Sequence, residues 1–183
     1  MSNPNSQSSG GSEPPPESTA HHRRGILDAE VVGKFDHPGD ANKLVYSPLT
    51  TKHTFRSTRR YALEFEGHED AVRDFVRRTL VEEVSQDVHF GESPALEGFS
   101  FILDYGFRPG ALDLEKETIL SYYRGLKSPT FTFHKLFITQ RIYIFAEQET
   151  EAPEKFVRDI VNPAIHRHEI IRADHRLAQG RAR

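Results

Sequence analysis

Residues 99–125 read FSFILDYGFRPGALDLEKETILSYYRG, and this stretch decides the fold class. Apolar residues alternate over 99–105, which is the period-two pattern of a half-buried strand. The Arg-Pro-Gly run at 108–110 indicates a turn, because proline presets φ and glycine accepts positive φ. Asp113 can then cap a helix that ends at Gly125. The stretch therefore predicts a strand, a turn and a helix.

The same kind of pattern continues towards the C-terminus. Aromatic and β-branched residues dominate 131–145, which predicts two strands, or one long bent strand with an irregularity near Thr139 or Gln140. Pro153 suits the first turn of another helix, an Asn-Pro pair ends it, and 164–171 predicts a last strand. The resulting order is strand, helix, strand, strand, helix, strand. This order predicts a ferredoxin-like (βαββαβ) α+β fold.

The first half of the chain carries a weaker version of the pattern. Residues 26–32 predict a short strand, and alternation over 61–65 predicts a second one. The spacing of apolar residues predicts an amphipathic helix over 69–84. No amphipathic helix precedes these elements, so the first half lacks a counterpart of the helix predicted after Asp113.

An internal repeat links the two halves. When the sequence is shifted by 81 residues, the triplet Phe-Val-Arg at 75–77 falls on the same triplet at 156–158, and Thr58 falls on Thr139. The strand and helix patterns coincide in the same frame, so we predict a duplication whose first copy is incomplete. We expect the sheets of the two units to pack face to face.

Four segments follow from these patterns. Residues 1–24 are almost free of apolar side chains and are predicted to be a disordered tail, because such a segment cannot repay its ordering entropy. The first, incomplete unit is predicted over 25–92 and the second, complete unit over 93–175. A short basic tail is predicted over 176–183.

Composition excludes several classes of protein. The chain has 183 residues, a formal net charge of −3 and no cysteine, which rules out disulfide frameworks, thiolate zinc sites and cysteine nucleophiles. No apolar run has the length of a membrane span. The small net charge gives no strong field for nucleic acid. We therefore expect a cytoplasmic protein that binds neither membrane nor nucleic acid.

Three places in the second half resemble a known family in their order and spacing. They are the FRPGALD run at 107–113, the predicted strands over 131–147, and the NPAIHRHEI run at 162–170. Together they resemble PurS, the small subunit of phosphoribosylformylglycinamidine synthase, over residues 97–173. Leu114 stands where the family has a second proline, and Arg108 stands where it has lysine. The family's Val-Arg-x-Gly-Lys run is not evident at 133–139.

The resemblance implies a PurS-like tandem pseudo-dimer with antiparallel sheets packed together, and possible self-association through the sheet. It also implies a non-catalytic role, without a cofactor, in de novo purine biosynthesis. Such a subunit bridges the ATP-dependent synthetase (PurL-type) and glutaminase (PurQ-type) subunits of a glutamine amidotransferase complex, which is an ATP-dependent ligase, and helps to shield ammonia. The candidate partner-interface residues are Arg108, Pro109, Gly110, Asn162 and Pro163.

Other kinds of chemistry have weaker support. His166 and His168 share a face of a predicted strand and could bind a metal together with Asp174 or His175, but surface histidine pairs are common. The His21-His22 pair lies in the predicted tail. The Arg-Pro-Gly turn could present N–H groups to a phosphate, yet no glycine-rich cradle accompanies it.

Acid–base and nucleic-acid chemistry have alternative explanations too. The acidic pairs at 82–83 and 115–117 are predicted on solvated helix faces, and no Gly-x-Ser-x-Gly nucleophile elbow occurs. The aromatic residues Phe131, Phe133, Tyr143 and Phe145 could stack bases on an open sheet, but a core or a sheet interface explains them better. An independent enzyme therefore lacks a supporting constellation. A stand-alone ferredoxin-like module that binds a protein or a small ligand stays open as the alternative function.

Overall fold

The computed structural model describes residues 24–147 and 152–173. The strands are β1 (Arg24–Gly33), β2 (Gly39–Asp40), β3 (His53–Gly67), β4 (Gln86–Phe90), β5 (Phe101–Phe107), β6 (Phe131–Ala146) and β7 (His166–Arg172). The helices are α1 (Glu69–Leu80), α2 (Leu114–Arg124) and α3 (Pro153–Ile160). The tails predicted at 1–24 and 176–183 lie outside the described residues, apart from Arg24, which begins β1.

The strands form one seven-stranded antiparallel sheet in the order β4-β1-β3-β6-β5-β7, with the short β2 also paired to β3. The predicted α+β class is confirmed. The arrangement of the halves differs from the expectation, because they join edge to edge through β3 and β6 instead of packing two sheets face to face. Long strands explain this difference, since β3 and β6 pair along 15 positions of β3 and bury the edges that separate sheets would expose.

The register of the central β3–β6 ladder follows the sequence repeat. Arg59 pairs with Gln140, and these residues are separated by the same 81 positions that align the two halves of the sequence. On one side of this pair Thr58 faces Arg141, and on the other side Arg60 faces Thr139. The ladder is therefore symmetric about its central pair.

The outer strands extend this symmetry. In the first half β1 lies between β3 and β4, and in the second half β5 lies between β6 and β7. The main difference is the connection after the first strand of each half. In the second half it is α2, whereas in the first half it consists of β2 and a 3-10 turn over Ala41–Leu44. The absence of an opening helix from the first half was predicted.

Two apolar cores lie on the helical face of the sheet, and each receives a segment from the other half of the chain. The first core surrounds α1 and Leu63, and α2 contributes Ile119 to it. The second core surrounds α3 and Phe101, and the first half contributes Ala41 to it. The connecting segments thus cross between the halves, so neither core is built from one half alone.

Two local predictions need correction. Of the two alternatives for 131–145, the structure has the single long strand, so the second half has one strand where the ferredoxin-like order has two. Its irregularity lies opposite the Glu64–Phe65 step, near His134, and not at Thr139 or Gln140. The helix predicted to reach residue 84 ends at Leu80, and the strand β4 that follows was missed.

The face of the sheet without helices carries a buried charge cluster, formed by Glu30, Asp104, Arg141 and Tyr143. The Arg141 Nε and Nη2 atoms donate to the two Asp104 carboxylate oxygens at 2.8 and 2.7 Å. Its Nη1 donates to Glu30 at 2.7 Å. Tyr143 and Thr58 donate their hydroxyls to Glu30. The guanidinium therefore joins a carboxylate of the first half to a carboxylate of the second.

The connection between β4 and β5 covers this cluster from solvent. The Ala95 backbone N–H lies 3.1 Å from Glu30 Oε2 and 3.0 Å from the Tyr143 hydroxyl oxygen, and Phe99 packs edge-on against the Tyr143 ring. Only 3% of the Arg141 side chain is exposed. Burial lowers the pKa of Arg141, but Asp104 and Glu30 more than compensate and raise it, so the guanidinium stays charged.

Substituting Arg141→Met should destabilise the fold strongly. The change leaves Glu30 and Asp104 buried without their cation, and removing one partner of a buried pair costs about 3–5 kcal/mol. The free energy of unfolding from urea denaturation measures the effect. Lys135→Met, on the same strand but 61% exposed, is the control and should change stability by less than about 1 kcal/mol. Equal effects of the two variants would contradict the role given to Arg141.

Candidate functional site

The residues predicted to form a partner interface come together in the structure. Arg108 directly follows β5, and the Asn162-Pro163 pair lies between α3 and β7. The Arg108 backbone N–H donates to Ile165 O at 2.8 Å. Its side-chain Nε lies 3.0 Å from Pro163 O and 2.9 Å from His166 O. The two sequence motifs are thus the two sides of one hydrogen-bonded structure, which we name the Arg108 turn.

Glycine and asparagine have defined parts in the Arg108 turn. Gly110 has φ of +89°, in the left-handed region that favours glycine. The Asn162 side-chain oxygen accepts from the Ala164 N–H at 3.0 Å, which fixes the chain just before β7. Pro109 precedes Gly110 in the same exposed loop.

The first half contains an equivalent structure, the Lys34 turn, which the sequence did not reveal. Lys34 directly follows β1, and its N–H donates to Ser85 O at 2.8 Å. Its Nζ donates to the Glu83 carbonyl oxygen. Ser85 and Glu83 precede β4 by one and three residues, as Ile165 and Pro163 precede β7. The strands β1 and β5 lie on opposite sides of the β3–β6 pair, and so do the two turns.

Both turns carry apolar side chains that are open to solvent. Near the Arg108 turn, Leu112 and Leu114 are 70% and 69% exposed. Near the Lys34 turn, Phe35 and Val84 are 72% and 79% exposed. Exposed apolar groups that cluster with polar surroundings are typical of protein-binding surfaces. Each turn is therefore a candidate contact site.

A cleft of about 440 Å³ lies beside the Arg108 turn, between the end of β5, the start of α2 and the centre of the β3–β6 pair. One wall is apolar and the floor is polar. Its lining includes Arg59, Tyr105, Phe107, Leu112, Asp113, Leu114, Glu115, Ile138, Gln140 and His166.

The polar floor of this cleft is held by hydrogen bonds to the start of α2. Arg59 contacts Glu115 at 2.6 Å and donates to the Gln140 side-chain oxygen at 3.0 Å. The Tyr61 hydroxyl donates to Glu115 at 2.8 Å. Burial, followed by this hydrogen bond, raises the pKa of Tyr61, so its hydroxyl stays protonated. Glu115 was predicted on a solvated helix face, but it points towards the sheet because Arg59 and Tyr61 bind it.

His166 belongs to the same cleft. The His166 ring lies 5.3 Å from the Tyr105 ring and 5.1 Å from the Phe107 ring. Its Nδ1 atom is buried and has no hydrogen-bond partner. Within 24–147 and 152–173, no three histidine or acidic side chains converge as metal ligands. Asp174, His175 and the His21-His22 pair lie outside the described residues.

The phosphate and acidic-pair hypotheses find little geometric support. At the Arg108 turn, the N–H groups of Arg108 and Ala111 already donate to backbone carbonyls. Glu82 and Glu83 are exposed, as expected, but follow α1 instead of lying on it.

The four aromatic residues considered for base stacking are divided between the two faces of the sheet. Phe131 and Phe133 pack into the first core. The irregularity near His134 brings them to the same face as Leu136. Tyr143 is buried on the opposite face, where it binds Glu30. They do not form a shared stacking surface.

Comparisons with known proteins do not extend the sequence resemblance: no family model, curated protein or solved structure matches the chain. In the part of the chain that the structure describes, no helix has the length and apolar character needed to cross a membrane. The geometry of the turns and of the cleft is therefore the basis for the functional argument.

Arg108→Ala should weaken the anchoring of the Arg108 turn. The substitution removes a charged donor from two carbonyl oxygens, and a hydrogen bond of this kind contributes about 1 kcal/mol. Arg108→Lys should retain more stability, because Lys34 makes the equivalent contact in the first half. Urea denaturation of both variants, with the exposed Lys127→Ala as control, measures the difference. If Lys127→Ala lowered the free energy of unfolding as much as Arg108→Ala does, this role of the Arg108 side chain would be refuted.

Proposed function

We propose that this protein is a non-catalytic, PurS-like accessory subunit of phosphoribosylformylglycinamidine synthase in de novo purine biosynthesis. In this role it bridges the synthetase (PurL-type) and glutaminase (PurQ-type) subunits. The observation that carries the proposal is the pair of equivalent turns on opposite sides of the β3–β6 pair. A bridging subunit needs two separate contact sites, and the two turns are candidates for them.

We further propose that the chain is a tandem pseudo-dimer of ferredoxin-like units. The symmetric β3–β6 register and the matching contacts of Arg108 and Lys34 support a common origin for the halves. The continuous strand β6 departs from the ferredoxin-like order, because it occupies the positions of two successive strands. In this proposal each chain contains within itself the pairing that two separate PurS-like subunits would make.

The alternative function is a stand-alone module that binds a small ligand or another protein. The cleft beside the Arg108 turn favours this alternative, since it combines a polar floor with an apolar wall, as ligand sites commonly do. An unrelated stable partner, or a ligand-dependent rise in melting temperature without the synthase subunits, would identify it.

Co-purification tests the proposed function. The tagged full-length chain, recovered from extract of its native host, should carry the synthetase and glutaminase subunits with it. Deletion of the gene should also create a requirement for purines. Absence of both subunits together with unimpaired growth without purines would reject the proposal.

Surface substitutions test whether the two turns bind different partners. Leu112→Ser with Leu114→Ser should reduce capture of one subunit about tenfold, because both changes remove apolar area that a bound partner would bury. Phe35→Ser should reduce capture of the other subunit and leave the first unaffected. Capture from extract, quantified by immunoblotting, provides the measurement.

Tyr46→Ser is the matched control for these variants. Tyr46 is 89% exposed but lies in the connection that precedes β3, so its substitution should leave both partners bound. Melting temperatures establish that all variants fold. If the variant of either turn lost both partners, the assignment of one partner to each turn would be contradicted. Loss of both partners by Tyr46→Ser would contradict it as well.

A further inference from the structure

Three polar groups in the cleft beside the Arg108 turn have unused hydrogen-bonding capacity. Arg59 uses one N–H for Gln140 and one for Glu115, which leaves three of its five donors. Tyr105 has no hydrogen bond through its hydroxyl among the described contacts, although it lines the cleft. His166 Nδ1 is buried without a partner. Of the three, only His166 Nδ1 is a buried atom, and buried polar atoms are normally paired. The Arg59 side chain is 41% exposed, so its remaining donors can bind either water or a ligand.

These three groups suit an anionic group. Arg59 supplies a positive charge, and a tyrosine hydroxyl and a histidine N–H can both donate to an oxygen. Burial raises the pKa of Tyr105, an effect that Arg59 partly opposes, and the hydroxyl therefore remains a donor. A carboxylate placed here would accept from several donors at once.

The cleft also contains two carboxylates, of which Glu115 is already paired with Arg59 at 2.6 Å. Asp113 and Glu115 both line it at the start of α2. Asp113 caps the helix through one carboxylate oxygen, which accepts from Lys116 N at 3.0 Å. The Asp113 carboxylate would repel a purely anionic ligand and attract one that also carries an ammonium group, whereas Arg59 already offsets the charge of Glu115.

The remaining lining of the cleft is apolar and consists of Phe107, Leu112, Leu114 and Ile138. An apolar group that binds against these side chains loses contact with water. The cleft volume of about 440 Å³ is in the range of small-molecule sites. Positive, negative and apolar surfaces therefore meet within one small cavity.

We propose that this cleft binds a free α-amino acid with an apolar side chain. The α-carboxylate lies against Arg59, Tyr105 and His166, and the ammonium lies against Asp113 and Glu115. The apolar side chain packs on Phe107 and the neighbouring leucines. This inference goes beyond the proposed bridging function and does not require the partner subunits.

The equivalent position of the first half does not offer the same chemistry. The cavity there is lined by Val31, Gly33 and Ser57, where the second half has Tyr105, Phe107 and Ile138. The counterparts of the Tyr105 hydroxyl and of the Phe107 ring are both absent there, although Tyr61 lines the cavity. We therefore expect one binding site in each chain.

Isothermal titration calorimetry on the full chain tests the site, with L-phenylalanine and L-leucine as probes. Both should bind saturably at one site. L-phenylalaninamide lacks the carboxylate and N-acetyl-L-phenylalanine lacks the ammonium, so each should bind about tenfold more weakly or worse. The proposal would be overturned if either of these two compounds bound as tightly as L-phenylalanine. It would also be overturned if neither amino acid bound saturably up to about 20 mM.

Two tyrosine variants locate the site. Tyr105→Phe removes only a hydroxyl that lacks a partner, so the protein should fold normally and bind L-phenylalanine about three- to tenfold more weakly. Tyr122→Phe, on the exposed side of α2, should bind as the unmodified protein does. Equal effects of the two substitutions would place binding elsewhere. Because the isolated chain is used, failure here leaves the bridging proposal intact.

Discussion

The contact of Arg141 with Glu30 and Asp104 is the constraint on which the arrangement of the two halves depends. The contact is buried between the two halves, with Glu30 on β1 and Asp104 on β5. A shift of β1 relative to β5 would separate Arg141 from one of these carboxylates and leave a buried charge unpaired. The alternation of apolar residues excludes a slip by one residue, which would turn them to the other face, whereas the buried charges also exclude a slip by two residues, which would separate them. The three charges therefore specify how β3 and β6 align, although such clusters contribute less to net stability than their number of hydrogen bonds suggests.

The alignment of β3 with β6 determines where the two turns lie. Since the register is symmetric about Arg59 and Gln140, the Arg108 and Lys34 turns emerge on opposite sides of the central strands. Segments α2 and 41–49 pack into the opposite cores and so connect the two halves. Two related but unequal turns on opposite sides of one sheet are the structural basis of the bridging proposal.

Much of the fold could be predicted from the sequence where periodicity is strong. The strand and helix of 99–125, the helix at Pro153 and the missing opening helix of the first half all follow from local patterns. The joining of the halves could not be predicted, because strand pairing between distant segments leaves no local signal. The irregularity near His134 was misplaced for the same reason, since it depends on the register with Glu64 and Phe65.

The candidate site was predictable only in part. Arg108 and the Asn162-Pro163 pair carried a sequence pattern, and the structure joins them. The Lys34 turn was missed because its sequence does not repeat that of the Arg108 turn, and the two share only a basic side chain and backbone contacts. Charged residues within apolar strands, such as Glu30 and Arg141, were the one available signal for the buried cluster. Their partners could be identified only after the strands were aligned.

The most direct test of the bridging account is the rate of ATP turnover by the purified synthetase and glutaminase subunits, with glutamine or with ammonia as nitrogen source. The account predicts that adding this protein raises the glutamine-dependent rate and leaves the ammonia-dependent rate unchanged, because it joins the two active sites without performing chemistry. An unchanged glutamine-dependent rate at saturating protein would contradict the account.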